Sequence, residues 1–154
     1  MRFIELIATE PKICKYIDTP VQHINDRMLK LMNRHVTGNQ IRERLLKLRS
    51  RIPDVQIRST VIVGYPGETE EEYLQLKAFV EEIGFDNLGV FAYSHEENTA
   101  SYNLPNQLDD KTKEARRKDL MKTQQKVSKK LLKRQVGKEL PVLVEGISDE
   151  SEHL

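Results

Sequence analysis

Cysteine is almost absent. Cys14 is the only one in 154 residues, so the chain forms no internal disulfide and cannot by itself supply a multi-cysteine metal site. No apolar run approaches the roughly 20 residues that a membrane-spanning helix needs, and the first residues lack the charged-then-apolar plan of a secretory signal. A cytoplasmic protein without a membrane partner is the default expectation. Net charge is scarce as well: 25 basic and 24 acidic residues leave +1, which by itself neither suggests nor excludes a partner. No internal repeat or low-complexity run stands out, and the length suits one domain with its own core.

What is present is unevenly placed. Twelve Lys or Arg fall between Lys111 and Lys138, against only Glu114 and Asp119, so positive charge is concentrated on one predicted helix. The most ordered signal is Arg58-Ser59-Thr60-Val61-Ile62-Val63-Gly64-Tyr65-Pro66-Gly67-Glu68-Thr69. The unbroken Thr60 to Val63 run predicts a parallel strand buried on both faces. Gly64, Pro66 and Gly67 break it, and Thr69-Glu70-Glu71-Glu72 is a capping box that opens a helix. A strand passing through a short turn into a helix is a βα unit, and ligands gather where such turns leave the strand ends.

The rest of the chain extends this pattern. Phe3, Ile4 and Ile7 mark a helix with no capping residue before it, and Cys14–Val21 reads as a strand ending at Pro20. Short helices follow over Asn25–Asn33 and Gly38–Arg51, and Val55–Val63 is the central strand. The helix after Thr69 buries Tyr73, Leu76, Val80 and Ile83, with Gly84 as its left-handed cap. Asn87–Tyr93 is a third strand, and Ser94–Leu108 is a long loop at the same end of the sheet as the Gly-Pro-Gly turn. A helix over Asp110–Val136, a strand over Lys138–Gly146 and an acidic tail complete the chain. Successive βα units predict an α/β fold with a partial parallel sheet.

Three strand exits therefore carry candidate ligand groups: Gln22-His23, Thr60 through Gly67, and Tyr93-Ser94 with Glu96-Glu97. Gln22 both donates and accepts through one amide, Arg34 carries a fork that grips a carboxylate, and the Thr60–Gly64 backbone suits a purine edge. Those are the needs of a nucleoside carrying an amino acid.

These residues resemble the radical S-adenosylmethionine methylthiotransferases. Thr60-Val61-Ile62-Val63-Gly64-Tyr65-Pro66-Gly67-Glu68-Thr69 is similar to the adenine-binding strand and turn of that family, and Pro20 to Arg34 to its preceding strand and helix. Within the family the resemblance is to the branch that methylthiolates the β-carbon of an aspartate in a small-subunit ribosomal protein. Members that modify transfer RNA typically have Gln-Ser-Gly-Ser where this chain has Gln22-His23-Ile24-Asn25, and Thr-Asp where it has Ser59-Thr60. Ile13–Asp18, Tyr93–Thr99 and Gln124–Ser128 also fit the ribosomal-protein branch. Asn98 departs from it, standing where glycine is frequent.

The resemblance implies S-adenosylmethionine as cofactor, with Gln22 and Arg34 on its ribose and methionine portions and Thr60, Ile62, Gly64 and Tyr93 framing its adenosine. It implies a C-terminal half of a partial (β/α) barrel over 1–136, then the first strand of a truncated TRAM domain over 137–154. The family's [4Fe–4S] clusters are bound by upstream cysteines that this sequence lacks, so the chain is expected to be a fragment without radical chemistry of its own, and prone to self-association. In the intact enzyme, a cluster-derived adenosyl radical would abstract hydrogen before sulfur insertion and methylation. The implied partner is a ribosomal protein or the ribosome, with RNA contact through the basic helix 110–136. A transfer-RNA methylthiotransferase fragment and a non-catalytic ribosome- or RNA-binding module are the alternatives.

Plainer roles stand beside these. Any βα loop uses glycine and proline, Gln22 also suits a solvated strand end, and an Arg34 at a helix end offsets the macrodipole. Cys14 reads as an ordinary buried strand residue. His23 reads as a polar contact rather than a metal ligand or acid–base group, and Glu96 and Glu97 as a solvated loop or a contact for a basic substrate.

Overall fold

Start and stop signals set the elements of the computed structural model, which describes residues 2–140. Helix α1 spans Arg2–Thr9, strand β1 Tyr16–Asp18, α2 Asp26–Leu31, α3 Gly38–Arg51, β2 Gln56–Val63, α4 Glu70–Ile83, β3 Asn87–Ala92 and α5 Asp110–Lys133. Side-chain oxygens of Asn25, Thr37, Thr69 and Asp109 accept first-turn amides of α2, α3, α4 and α5. Thr37 with Gln40 and Thr69 with Glu72 form reciprocal capping boxes, a loss of which typically costs about 1 kcal/mol. Gly84 ends α4 in the left-handed conformation, as expected.

The strands pair in parallel in the order β1-β2-β3. Side chains of α1, α3, α4 and α5, including Ile7, Leu45, Phe79 and Leu120, pack with Ile57, Val61, Val63 and Val90 in one buried cluster. The opposite sheet face stays partly open: Phe91 is 59% exposed, Tyr16 and Arg58 are exposed, and Thr60 and Ile62 are half-buried. β2 therefore alternates along its length, which corrects the two-sided burial expected for Thr60–Val63. Among the described residues, α1, α3, α4 and α5 back the other face, and an apolar run does not reveal which face is left open.

The first strand is shorter than Cys14–Val21. It pairs from Tyr16↔Gln56 to Asp18↔Arg58, then returns to β2 only as an isolated Gln22↔Val61 bridge. One extra residue has entered on the β1 side, and Pro20 has no amide hydrogen to give there. Cys14 is exposed in the turn before β1, not buried in the strand, because that strand begins two residues later at Tyr16.

The Ser94–Leu108 loop folds back on the turn after β2, where the Gly67 amide donates to the Asn106 carbonyl at 2.8 Å. Asn98 takes φ 65°, the left-handed backbone that glycine supplies and asparagine tolerates, so the departure at this position keeps that conformation accessible. Helix α5 stops at Lys133, earlier than Val136. Lys138–Leu140 are irregular. The remainder of the expected strand and the TRAM segment lie outside the described residues.

Candidate functional site at the β2 exit

The turn after β2 is built around Gly64. Its φ of 72° suits glycine, and a Cβ placed there would lie 2.3 Å from Cγ of Lys113 on α5. Closing the turn, Glu68 swings its carboxylate under the strand end, where its side chain is fully buried. Oε2 accepts the Gly64 amide at 2.8 Å and Arg116 Nη1 at 2.6 Å, and Oε1 faces His23 Nε2 at 3.1 Å. His23 Nδ1 accepts the Asn25 amide at 3.0 Å, so the ring is neutral and its proton sits on Nε2, donating to Glu68. A buried carboxylate is tolerable when its lone pairs are filled in this way. Glu68 thereby joins the exit of β1, the turn and α5.

A second clamp lies outside the first. Arg27 donates through Nε and Nη2 to Glu72 at 2.7 and 2.5 Å, and to the Gly67 carbonyl at 2.7 Å. Burial pushes the Glu72 carboxyl up, but the Arg27 fork and the Thr69 amide outweigh it and hold the group below its ordinary range.

Above the turn, Met28, Tyr65 and Tyr93 form a small buried cluster with Ile62, Met32 and Leu104 against it. The two tyrosine rings meet edge to face at 5.2 Å, a favoured aromatic geometry. Tyr65 donates its hydroxyl to the Leu31 carbonyl at 3.2 Å, and burial raises its phenol. The Tyr93 hydroxyl and Gln22 Oε1 are buried without a hydrogen-bond partner among the described residues. Orphaned groups of this kind are rare because each forfeits its hydration. Gln22 is also held at φ 67°, a strained backbone for a residue with a side chain.

Five of the six residues picked from sequence gather at this end of the sheet. Gln22 exchanges backbone hydrogen bonds with Thr60 and Ile62, the Tyr93 amide donates to the Val63 carbonyl, and Gly64 follows directly. Arg34 does not join them. Asn33 turns at φ 55° just past α2, and Arg34 instead lines a groove with Ile17, Thr19, Val36 and Ile41, on the side of α1 and α3. The apolar Ile62 and Tyr93, with orphaned polar atoms beside them, fit a nucleoside such as the adenosine of S-adenosylmethionine. Among the described residues, no group of three or more His, Cys, Asp or Glu is placed to hold a metal ion.

Sequence reasoning missed Glu68, Lys113 and Arg116. It read the last two only as part of the basic helix 110–136, yet both lie on the buried stripe that continues through Leu120 and Gln124. Arg116 lies four residues before Leu120 and Lys113 three before Arg116, and that helical spacing was the available signal. Lys113, Arg116, Arg117 and Lys118 are engaged in ion pairs. The exposed Lys122, Lys126, Lys129, Lys130 and Lys133 form none among the described residues. No described helix is long and apolar enough to cross a membrane.

Comparison with known proteins finds relatives over nearly the whole chain. Ribosomal protein uS12 methylthiotransferase RimO of Geobacter sulfurreducens is 51% identical over 151 residues, covering 98% of this chain and 34% of its own length. The proteins of that name from Syntrophotalea carbinolica and Myxococcus xanthus are 51% and 46% identical, again over 98% of the chain and 33% and 32% of their own lengths. The chain thus spans about a third of the length of the curated relatives it matches. The family profile described as Radical SAM superfamily matches residues 2–80, taking in α1 through most of α4, and with it the Gln22 bridge, the β2 exit and the Glu68 turn: the chain belongs to the radical SAM superfamily.

Proposed function

We propose that this chain is the adenosine-binding part of a radical S-adenosylmethionine methylthiotransferase that modifies an aspartate of ribosomal protein uS12. Its sheet then forms the C-terminal part of a partial barrel, with the open face turned to the lumen and a TRAM segment following. The observation that carries this reading is the pair of buried, unpartnered atoms, Gln22 Oε1 and the Tyr93 hydroxyl, flanking a β2 exit whose shape Glu68 fixes. An adenosine supplies the missing partners: a ribose hydroxyl for the Gln22 amide and an acceptor for Tyr93. Ile62 and the Tyr93 ring offer the base an apolar seat, and Thr60–Gly64 offer backbone groups to its polar edge.

When bound, S-adenosylmethionine supplies the radical hydrogen abstraction and the methyl group. This chain binds and orients its nucleoside and excludes water above the turn. The iron–sulfur ligands belong to the remainder of a longer enzyme, in which 1–136 and 137–154 are parts of two domains. Arg34 carries the fork for the methionine carboxylate from a groove that Pro20 and Val21, directly before Gln22, also line.

The relatives' names favour uS12 over transfer RNA, and a ribosome-directed enzyme works in the cytoplasm. The exposed lysines from Lys122 to Lys133, which form no ion pair among the described residues, suit ribosomal RNA beside the protein target. Methylthioadenosine titrated into the chain should shift the amide resonances of Gln22, Thr60–Gly64 and Tyr93; shifts confined to other regions refute the adenosine site. In the full-length enzyme, methylthiolation of transfer RNA with none on uS12 would sink the substrate assignment.

A further inference from the structure

Lys113 is unusual among the lysines of α5. Its side chain is only 8% exposed, whereas that of Asp110, its carboxylate partner at 2.7 Å, is 98% exposed. Its stem packs on Gly64, and its ammonium lies 5.8 Å from the centre of the Tyr93 ring, the ring whose hydroxyl has no partner. A partly desolvated cation is costly unless well paired, and an ion pair with a fully solvated carboxylate contributes little. Asp110 is therefore a displaceable partner. Glu68, the fully buried carboxylate under the same turn, is already filled by Gly64, His23 and Arg116.

We infer that Lys113 is a carboxylate-recognition residue at the rim of this site, exchanging Asp110 for a ligand carboxylate while the Tyr93 hydroxyl donates nearby. The inference rests on the proposed function only in placing a ligand above the β2 exit. Two carboxylates arrive there in that reaction: the methionine end of the cofactor and the aspartate of the protein substrate. A buried ammonium at this position favours a substrate that carries a negative charge and disfavours its amide counterpart, which makes Lys113 a source of specificity.

The test titrates the full 154-residue chain, isotope-labelled, with three probes: methylthioadenosine, S-adenosylhomocysteine, and a capped peptide with a single aspartate. Lys113→Met keeps the stem on Gly64 and removes the charge. It should weaken at least one carboxylate-bearing probe about tenfold, the size of one charge-assisted hydrogen bond, and leave methylthioadenosine unchanged, with Lys113→Arg retaining more affinity than Lys113→Met. Loss on S-adenosylhomocysteine alone assigns the carboxylate to the cofactor, and loss on the peptide alone assigns it to the substrate.

Equal affinities of wild type and Lys113→Met for both carboxylate probes overturn the inference, as does a wild-type chain that binds neither. Should Lys113→Met fail to fold, the wild type decides. S-adenosylhomocysteine must then bind about tenfold tighter than methylthioadenosine, or the aspartate peptide about tenfold tighter than its asparagine counterpart; neither preference refutes the role. If methylthioadenosine fails to move Thr60–Gly64 while a carboxylate probe still depends on Lys113, the adenosine reading falls and the Lys113 role stands.

Discussion

Glu68→Ala is the sharpest probe of what holds the β2 exit. The substitution removes a fully buried carboxylate and strands three groups at once: the Gly64 amide, His23 Nε2 and the Arg116 guanidinium, whose side chain is 9% exposed. Arg116 would keep only Glu70, which is largely solvated, and the Glu68 backbone carbonyl. Removing one partner of a buried pair typically costs about 3–5 kcal/mol, because the other charge remains desolvated. With a urea m-value of about 2 kcal/mol/M for a chain of this size, the midpoint should fall by about 1.5–2.5 M. Equilibrium urea unfolding followed by circular dichroism measures this directly. The double variant Glu68→Ala/Arg116→Met removes both charges and should recover about 1 kcal/mol or more relative to Glu68→Ala alone. A single-variant shift below about 0.5 M, or strict additivity in the double variant, would refute a buried ion pair as the link between turn and helix.

Gly64→Ala forces a methyl onto the Lys113 stem in left-handed backbone and should cost about 2–4 kcal/mol in the same unfolding assay; a near-neutral result would mean that α5 yields freely. Gln22→Gly should raise stability by about 0.5–1 kcal/mol by relieving φ 67°, net of the added chain entropy, while weakening methylthioadenosine binding; improved or unchanged binding contradicts an adenosine contact for this amide. The depressed carboxyls of Glu72, where burial is outweighed by Arg27, and of Asp119, held by Lys77 and Tyr73, release protons more readily folded than unfolded. Their stabilisation is present above the ordinary carboxylate range and is lost as pH falls from about 5 through the lower folded values. Urea midpoints between neutral pH and pH about 3 should show the decline, and Glu72→Gln should flatten part of it; an unaltered slope in that variant rules out Glu72 as a contributor.

How legible was this in the sequence? Local chemistry was readable because it acts over a few residues. The Thr69 box, the Gly84 cap and the parallel βα order follow from spacing alone. The placement of Gln22, Thr60, Ile62, Gly64 and Tyr93 at one sheet end follows from strand polarity. What failed depends on contacts between distant segments. The open face of β2 is set by which side the helices cover. Cys14 is exposed because β1 pairs late. Charge composition misled most at Lys113 and Arg116, since counting basic residues ignores that two of them share the stripe of Leu120. Glu68 was visible as a turn residue, but its role needs Arg116, 48 positions away.

The extra residue between β1 and the Gln22 bridge makes the Thr19–Val21 segment a ruler. Side chains on a strand alternate faces, so removing one residue there would restore an unbroken register and rotate Gln22 away from its present direction, while adding one would displace His23 from Glu68. Ordinary loops accept insertions and deletions readily. Here length matters more than identity, and a library varying these three positions should retain folded members wherever their number is kept and few where it is not.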